Sequence, residues 1–418
     1  MKMRYQLIDR TSISHMTSMK STTAAVTGLL CISLLLSSAQ SHTPQSQAES
    51  SVRSQRGIRI PFDLDGNIIF LKVQANGSEP LAFVLDTGAT LTVLDTEQAR
   101  KLGIDHFEDF PAVFKVPADF RRVRGVNLRL AGLELSNQTM AVGPMDANQL
   151  VHSGRHLHGV LGRNFFSQFV VEIDYVGKFI TLYDPKTYQY SGAGESIPLE
   201  LSGSPFVRAK ITTAAGNTME RLLFVDSGSH STLNYETSQF PSVTIERDEM
   251  DLTDQVTARV SAVFARVEHI ELGHFVLDKP VVWVTRSFPI PGVQGLIGGG
   301  LLRRFKVIFD YSQKRMILEP NERTHAPFEF DMSGMFVISD LPSSGNFKVF
   351  SVSPKTPAAE AGLRDGDLIT AINGEPSERF DVANLTRDRF VEEGHVYRLT
   401  VKRGRKQLRM KIKLRRLI

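Results

Sequence analysis

Two aspartates in this 418-residue chain stand in the same local setting. Asp86 follows the apolar run Ala82-Phe83-Val84-Leu85 and precedes Thr87-Gly88-Ala89; Asp226 follows Leu222-Leu223-Phe224-Val225 and precedes Ser227-Gly228-Ser229. A carboxylate at the end of a strand, with a hydroxyl residue and a glycine after it, is held at a tight turn. Two such turns facing each other place two carboxylates about 3 Å apart around one water, and both cannot ionise together, so they share a proton. The ionised partner takes a proton from the water while the protonated one donates to a scissile carbonyl, which is hydrolysis without metal or covalent intermediate. The pair, rather than either residue, then sets the apparent pKa values.

A duplication is what would position them. Each aspartate is followed at a similar interval by an apolar-apolar-Gly segment, Val160-Leu161-Gly162 after 162 − 86 = 76 residues and Leu296-Ile297-Gly298 after 298 − 226 = 72. From each of these glycines an Asp-Tyr pair, Asp174-Tyr175 or Asp310-Tyr311, is reached at 175 − 162 = 13 and 311 − 298 = 13 residues. Each copy closes on an alternating strand, Phe179–Tyr183 and Arg315–Leu318. The carboxylates therefore occupy equivalent places in an internal repeat. One asymmetry stands out. Ser229 has a hydroxyl to offer Asp226, whereas Ala89 at the equivalent place has none. This spacing predicts Asp226 as the charged partner, Asp86 as the proton carrier, and activity at weakly acidic to neutral pH.

The turns Val84–Ala89 and Phe224–Ser229, with their downstream glycine segments, resemble the aspartic proteases over about residues 58–320. The closest likeness is to the single-chain form built from two retropepsin-like halves. The resemblance implies a mainly β, two-lobed, duplicated acid-protease barrel fold, an aspartic endopeptidase activity on polypeptide substrates, and no cofactor. It assigns catalysis to Asp86 and Asp226. It also implies that the hydroxyls of Thr87 and Ser227 hydrogen-bond across the lobe interface. Gly88, Ala89, Gly228 and Ser229 then complete the active-site loops, and Gly162 and Gly298 end strands threading beside them. Substrate-covering flaps are expected around Pro111–Val126 and Arg247–Val260, although the first holds one glycine, Gly125, and the second none.

Composition agrees with a β-rich globular chain. Hydrophobic content of 41%, 22% charge, Gly 31 and Pro 19 fit short strands with frequent turns, and the net charge of +4 does not call for a nucleic-acid partner. His152, His156 and His158 lack carboxylate or cysteine partners at ligand spacing and read as solvated loop histidines; no metal is expected. His230 reads as a loop residue beside the second turn. The apolar run Ala24–Leu36, with Lys20 upstream and Ser37-Ser38-Ala39 after it, reads as an export signal over residues 1–39 (the true start then being possibly Met19). An uncleaved anchor helix is the alternative reading. The one cysteine, Cys31, lies in this run, so a mature chain without thiols fits a periplasm.

The expected order is a polar leader over 40–57, lobe 1 over 58–185, a turn-rich join at Pro185–Ser196, lobe 2 over 198–320, and a separate unit over 325–418. In that last unit Phe328–Phe330, Phe336–Ser339 and Phe347–Ser353 read as strands, Thr356–Leu363 and Phe380–Glu393 as helices, and Asn373-Gly374 as a hairpin turn. The segments Gly334-Met335-Phe336-Val337, Pro357–Leu363 and Gly366–Gly374 resemble a PDZ domain, a small β-sandwich with two helices, of the kind attached to bacterial exported proteases. It implies a groove beside the Phe336–Ser339 strand, with Gly334, Met335, Phe336 and Val337 as its peptide-binding residues, in which a peptide adds as a strand, its C-terminal carboxylate meeting backbone N–H groups around Gly334–Phe336. The competing function is a PDZ adaptor on a catalytically silent protease scaffold. Nine Lys/Arg between Lys402 and Arg416 read as the solvated face of a final hairpin.

Overall fold

Strand registers in the computed structural model follow the duplication closely. It describes residues 57–111, 119–145, 156–236, 263–285, 290–340, 346–380, 385 and 390–418. The expected signal over 1–39, most of the leader, His152 and the second flap at Arg247–Val260 lie outside the described residues, as does most of the helix expected over Phe380–Glu393.

The first copy is a seven-stranded sheet curled on itself. Its order runs Asp63–Asp65, Ile68–Ala75, Leu81–Leu85, Gly159–Leu161, Val93–Asp95, Leu133–Gly143 and Arg121–Leu130, and pairing of Ile68–Ala75 with Arg121–Leu130 closes it. The second copy is nine-stranded, with Thr218–Asp226 between Ser204–Thr212 and Gly295–Gly298. Burial of both faces explains the continuous apolar runs before each aspartate: Phe83, Val84 and Leu85, like Leu223, Phe224 and Val225, are all enclosed.

A third sheet joins the copies. Its six strands run Ile58–Pro61, Phe179–Tyr183, Val170–Asp174, Phe305–Asp310, Arg315–Pro320 and Glu195–Pro198, three from each half of the chain. At its centre Val170–Asp174 pairs antiparallel with Phe305–Asp310, and Glu172 lies opposite Ile308. Those two are each other's counterparts, since 308 − 172 = 310 − 174 = 136, so a local twofold axis passes between them. The equal 13-residue tails thus encode a strand and its hairpin turn. Asp174 Oδ1 accepts from the backbone N–H of Val176 and Gly177 at 3.0 and 2.7 Å, and Asp310 Oδ1 from Ser312 Oγ and Gln313 N at 2.6 and 3.2 Å. One continuous apolar cluster, from Ile60 through Phe166, Val225 and Phe309 to Phe328, fills both halves.

The join expected over Pro185–Ser196 already contains the start of the strand Glu195–Pro198, which pairs with Arg315–Pro320. Phe328–Phe330 is not a strand, because its two aromatics are spent on packing. Phe328 lies beneath the Arg304 guanidinium at 3.4 Å, and the Phe330 ring sits 4.9 Å from Phe264. Arg304, itself buried, donates to the carbonyls of Arg323, Thr324, Ala326 and Pro327, fastening the connecting segment to the second lobe. The C-terminal unit has its own core around Met335, Val349, Ile369 and Leu399. Its sheet runs Met335–Ser339, Phe347–Val352, Leu368–Ile372, Val396–Arg403 and Lys406–Lys413, with Glu375–Pro376 against Leu368–Ile372. The expected helix is the single turn Pro357–Glu360, ended by Gly362 at φ 83°, and Asn373-Gly374 turns with both residues left-handed.

Candidate active site

Each aspartate is delivered by a strand lying parallel to its own glycine segment. Leu81–Leu85 pairs with Gly159–Leu161, and Asp86 N donates to Leu161 O at 3.0 Å; Thr218–Asp226 pairs with Gly295–Gly298, placing Asp226 beside Gly298. The glycines at 162 and 298 are steric necessities. A Cβ at 162 would lie 2.2 Å from Leu91 O and one at 298 would lie 2.3 Å from Ser231 O, both backbone atoms that cannot swing away.

The two turns meet head to head through exchanged hydroxyls. Thr87 Oγ1 donates to Val225 O at 2.8 Å and accepts from Ser227 N at 2.9 Å. Ser227 Oγ donates to Leu85 O at 2.8 Å and accepts from Thr87 N at 3.0 Å. All four groups are buried, so each bond satisfies a backbone group that would otherwise be orphaned. This exchange brings the carboxylates of Asp86 and Asp226, 1% and 2% exposed, into hydrogen-bonding contact. Gly88 and Gly228 make the approach possible. A Cβ at 228 would fall 2.5 to 2.7 Å from the Asp86 carboxylate, and one at 88 would fall 2.8 Å from Asp226 Oδ1.

The electrostatics of the pair are lopsided, in the sense opposite to the one that spacing suggested. Burial raises both carboxyls above the ordinary range. Against that rise, Asp86 is favoured in its charged form by the hydrogen bond from Asp226 and by the backbone N–H groups of Gly88, Ala89 and Gly228. The Gly88 and Ala89 bonds measure 2.6 and 3.2 Å. After burial, the charge of Asp86 and the mutual hydrogen bond drive Asp226 higher still, with only Gly228 N, at 2.8 Å, opposing them. The donors are thus unequal: two backbone N–H groups, of Gly88 and Ala89, reach Asp86 and one, of Gly228, reaches Asp226, which favours charge on Asp86 over charge on Asp226. Ser229 does not deliver the expected hydroxyl to Asp226. Its Oγ pairs with Ser231 Oγ at 2.9 Å and accepts from Ser231 N at 3.4 Å. Ala89 contributes after all, through its main chain, a donor that residue type cannot reveal.

The other positions singled out from the sequence take these places. Residues 121–126 of the first expected flap belong to the strand Arg121–Leu130, paired with Leu133–Gly143, and 112–118 lie outside the described residues. His158 is structural rather than solvated: its Nδ1 accepts from Ala82 N at 3.1 Å, and burial, then the nearby His156, lowers its pKa. His230 lies at the lobe contact, where its ring Nδ1 bonds Gly66 O and its carbonyl accepts from Asn67 Nδ2 at 2.8 Å. That contact carried no motif, and only the fold reveals it.

In the C-terminal unit two of the amides expected to meet a ligand carboxylate, those of Gly334 and Met335, are already bonded. Asp331, 5% exposed, accepts from Ser333 N and Oγ at 3.2 and 2.6 Å and from Gly334 N at 2.8 Å, while Met335 N donates to Ser333 Oγ at 3.2 Å. The Phe336 ring packs edge-on against Phe350. A side chain of the protein, Asp331, thus occupies the N–H groups of Ser333 and Gly334 at this turn.

A family model described as aspartyl protease matches residues 71–165, which contain Asp86 and Gly162. A second, described as PDZ domain, matches residues 349–403. No curated protein matches the chain. The first match ends before Asp226, so the second half is tied to it by the internal repeat and the pseudo-twofold geometry. The chain thus carries an aspartyl protease domain and, C-terminal to it, a PDZ domain.

Proposed function

We propose that the chain is an aspartic endopeptidase, with one active site shared by its two lobes and a PDZ domain that holds polypeptide by strand addition. One observation carries the reading: two buried carboxylates, delivered by equivalent strands, are held in contact by reciprocal Thr87 and Ser227 hydrogen bonds. An aspartate pair that served only to cap turns would have no reason to be buried against its twin, because burying a carboxylate costs several kcal/mol without compensation. In the reaction Asp86, charged, takes a proton from a water, and the resulting hydroxide adds to the scissile carbonyl carbon. Asp226 gives its proton to the carbonyl oxygen. Collapse of the diol intermediate returns that proton to Asp226, and the proton taken by Asp86 passes to the departing amine, which restores the pair.

The test is cleavage of an unfolded protein by the wild type, Asp86→Asn and Asp226→Asn. Each substitution is expected to lower the rate by about 10³-fold. Equal residual cleavage in all three would overturn the dyad, and would leave a silent scaffold bearing a PDZ domain. Export to a periplasm is the matching location, supported by the apolar run Ala24–Leu36 with its small-residue exit. Sequencing the mature N-terminus after expression decides between cleavage near Ala39 and retention of the run.

A further inference from the structure

The strand Met335–Ser339 ends the C-terminal sheet and, among the described residues, pairs only with Phe347–Val352. A peptide joining the sheet as a further strand would lie along its other edge. A ligand that also ends there with a free carboxylate needs uncommitted N–H groups at the strand's start, since a desolvated carboxylate without donors is costly. Of the donors expected there, Gly334 N and Met335 N are already engaged, as is Ser333 N just before them. Asp331 takes Ser333 N and Gly334 N directly and holds Ser333 Oγ, which takes Met335 N.

The cradle is also locked. Gly334 has φ 74°, and a Cβ there would lie 2.2 Å from Thr356. Thr356 Oγ1 donates to Ser353 O at 2.6 Å, and Ser353 N donates to Gly334 O at 2.9 Å, so the turn is braced from the neighbouring loop. A ligand carboxylate could take these donors only by displacing the buried Asp331 carboxyl from them.

We infer that this PDZ domain captures internal extended segments of polypeptide and does not select free C-termini, Asp331 being the built-in occupant of the carboxylate position. The inference rests on the peptide-binding half of the proposed function and is independent of the dyad. It has a consequence for an endopeptidase. Every cleavage creates a new C-terminal carboxylate, and a docking domain indifferent to that group gives the product no added hold over the intact chain.

The experiment uses the full chain carrying Asp86→Asn, so that binding is read without cleavage whether or not the wild type cleaves. Two pools of random decapeptides of the same composition, one with free carboxylates and one amidated at the C-terminus, are offered for capture and quantified by mass spectrometry. Retention of the two pools is expected to agree within about twofold. A preference of about tenfold or more for the free acids overturns the inference, and so does retention of neither pool. Adding Asp331→Ala is expected to create a preference for free acids of about tenfold by releasing the amides, with the amidated pool unchanged. An unchanged ratio in a variant with native circular dichroism removes Asp331 from the role. If Asp331→Ala does not fold, Asp331→Asn keeps one acceptor oxygen for the turn where the carboxyl used both, which frees Ser333 N or Gly334 N, and a preference that stays flat in that variant likewise overturns the assignment.

Discussion

After Gly162 the chain turns into the short helix Arg163–Phe166, and after Gly298 into the equivalent Gly299–Leu302. Asn164 Oδ1 accepts from both Thr92 N and Thr92 Oγ1, at 2.7 and 2.6 Å, so the first loop is tied to its own lobe by a side chain. At the second loop the missing side chain makes room for the other lobe. Asn67 O stands 2.3 Å from where a Gly299 Cβ would be, and the turn at Gly66-Asn67 grips His230. The two halves keep in common what the chemistry requires, namely the aspartate, the hydroxyl and the glycines, and they differ in how the loop is steadied. Both are bonded to their own lobe through main chain, Arg163 N to Ala89 O and Gly299 N to Ser229 O; the first adds a side-chain tie within its lobe, and the second a close contact with its neighbour.

That contrast can be broken at its most constrained point first. Gly299→Ala drives a Cβ into the Asn67 backbone and is expected to cost about 3 kcal/mol, read as a lowered denaturation midpoint, whereas Arg163→Ala at the equivalent place costs under about 1 kcal/mol. Equal effects would mean the lobe contact is not what holds the second loop. Next come the exchanged hydroxyls, the part predicted to be symmetrical. Thr87→Ala and Ser227→Ala each strand a buried N–H and a buried carbonyl, and each is expected to lose about 2 kcal/mol. The double variant should lose less than the sum, because the pair acts as one unit; strict additivity would argue against the exchange.

The pH dependence sharpens the electrostatic half of the comparison. Burial puts the folded-state pKa of Asp226 well above the ordinary 3.8, so between those two values the folded chain holds a proton that the unfolded chain has released. The associated stabilisation is fully present below 3.8 and is lost as pH rises through the raised folded value. Asp226→Asn lacks that dependence, so the melting temperature of the wild type minus that of the variant should fall with rising pH across the window. A difference that climbs would place the charge on Asp226 instead. The smallest effect is expected from Ser229→Ala. With its hydroxyl engaged by Ser231, its loss should leave both limbs of the pH–rate profile where they are, within about 0.3 of a pH unit.

Much of the architecture was legible before any coordinates. The repeat intervals, the strand-ending aspartates and the glycine segments follow from patterns that local sterics enforce, since Gly162 and Gly298 have no room for a side chain. The hidden parts were those made by main chain and by long-range contact. The N–H of Ala89 reaches Asp86 from a residue chosen for having no polar side chain. Phe328–Phe330 alternates like a strand, yet its aromatics are taken by Arg304 and Phe264, partners distant in sequence. Asp331 resembles any loop acid until its carboxylate is seen closing the turn that a ligand was expected to fill.

By itself the sequence determined that two aspartates stand in equivalent repeats, each at a strand end beside a glycine that admits another backbone, and that a different unit follows. Residue type and spacing are enough for this, because turn geometry and steric exclusion act within a few positions. Only the tertiary structure decided which aspartate receives more backbone donors and which loop touches the other lobe. It alone decided, too, whether the C-terminal turn is open or filled. Those outcomes depend on counting donors around buried carboxylates, and the donors are backbone amides brought together from remote parts of the chain, with no identity that a sequence can display.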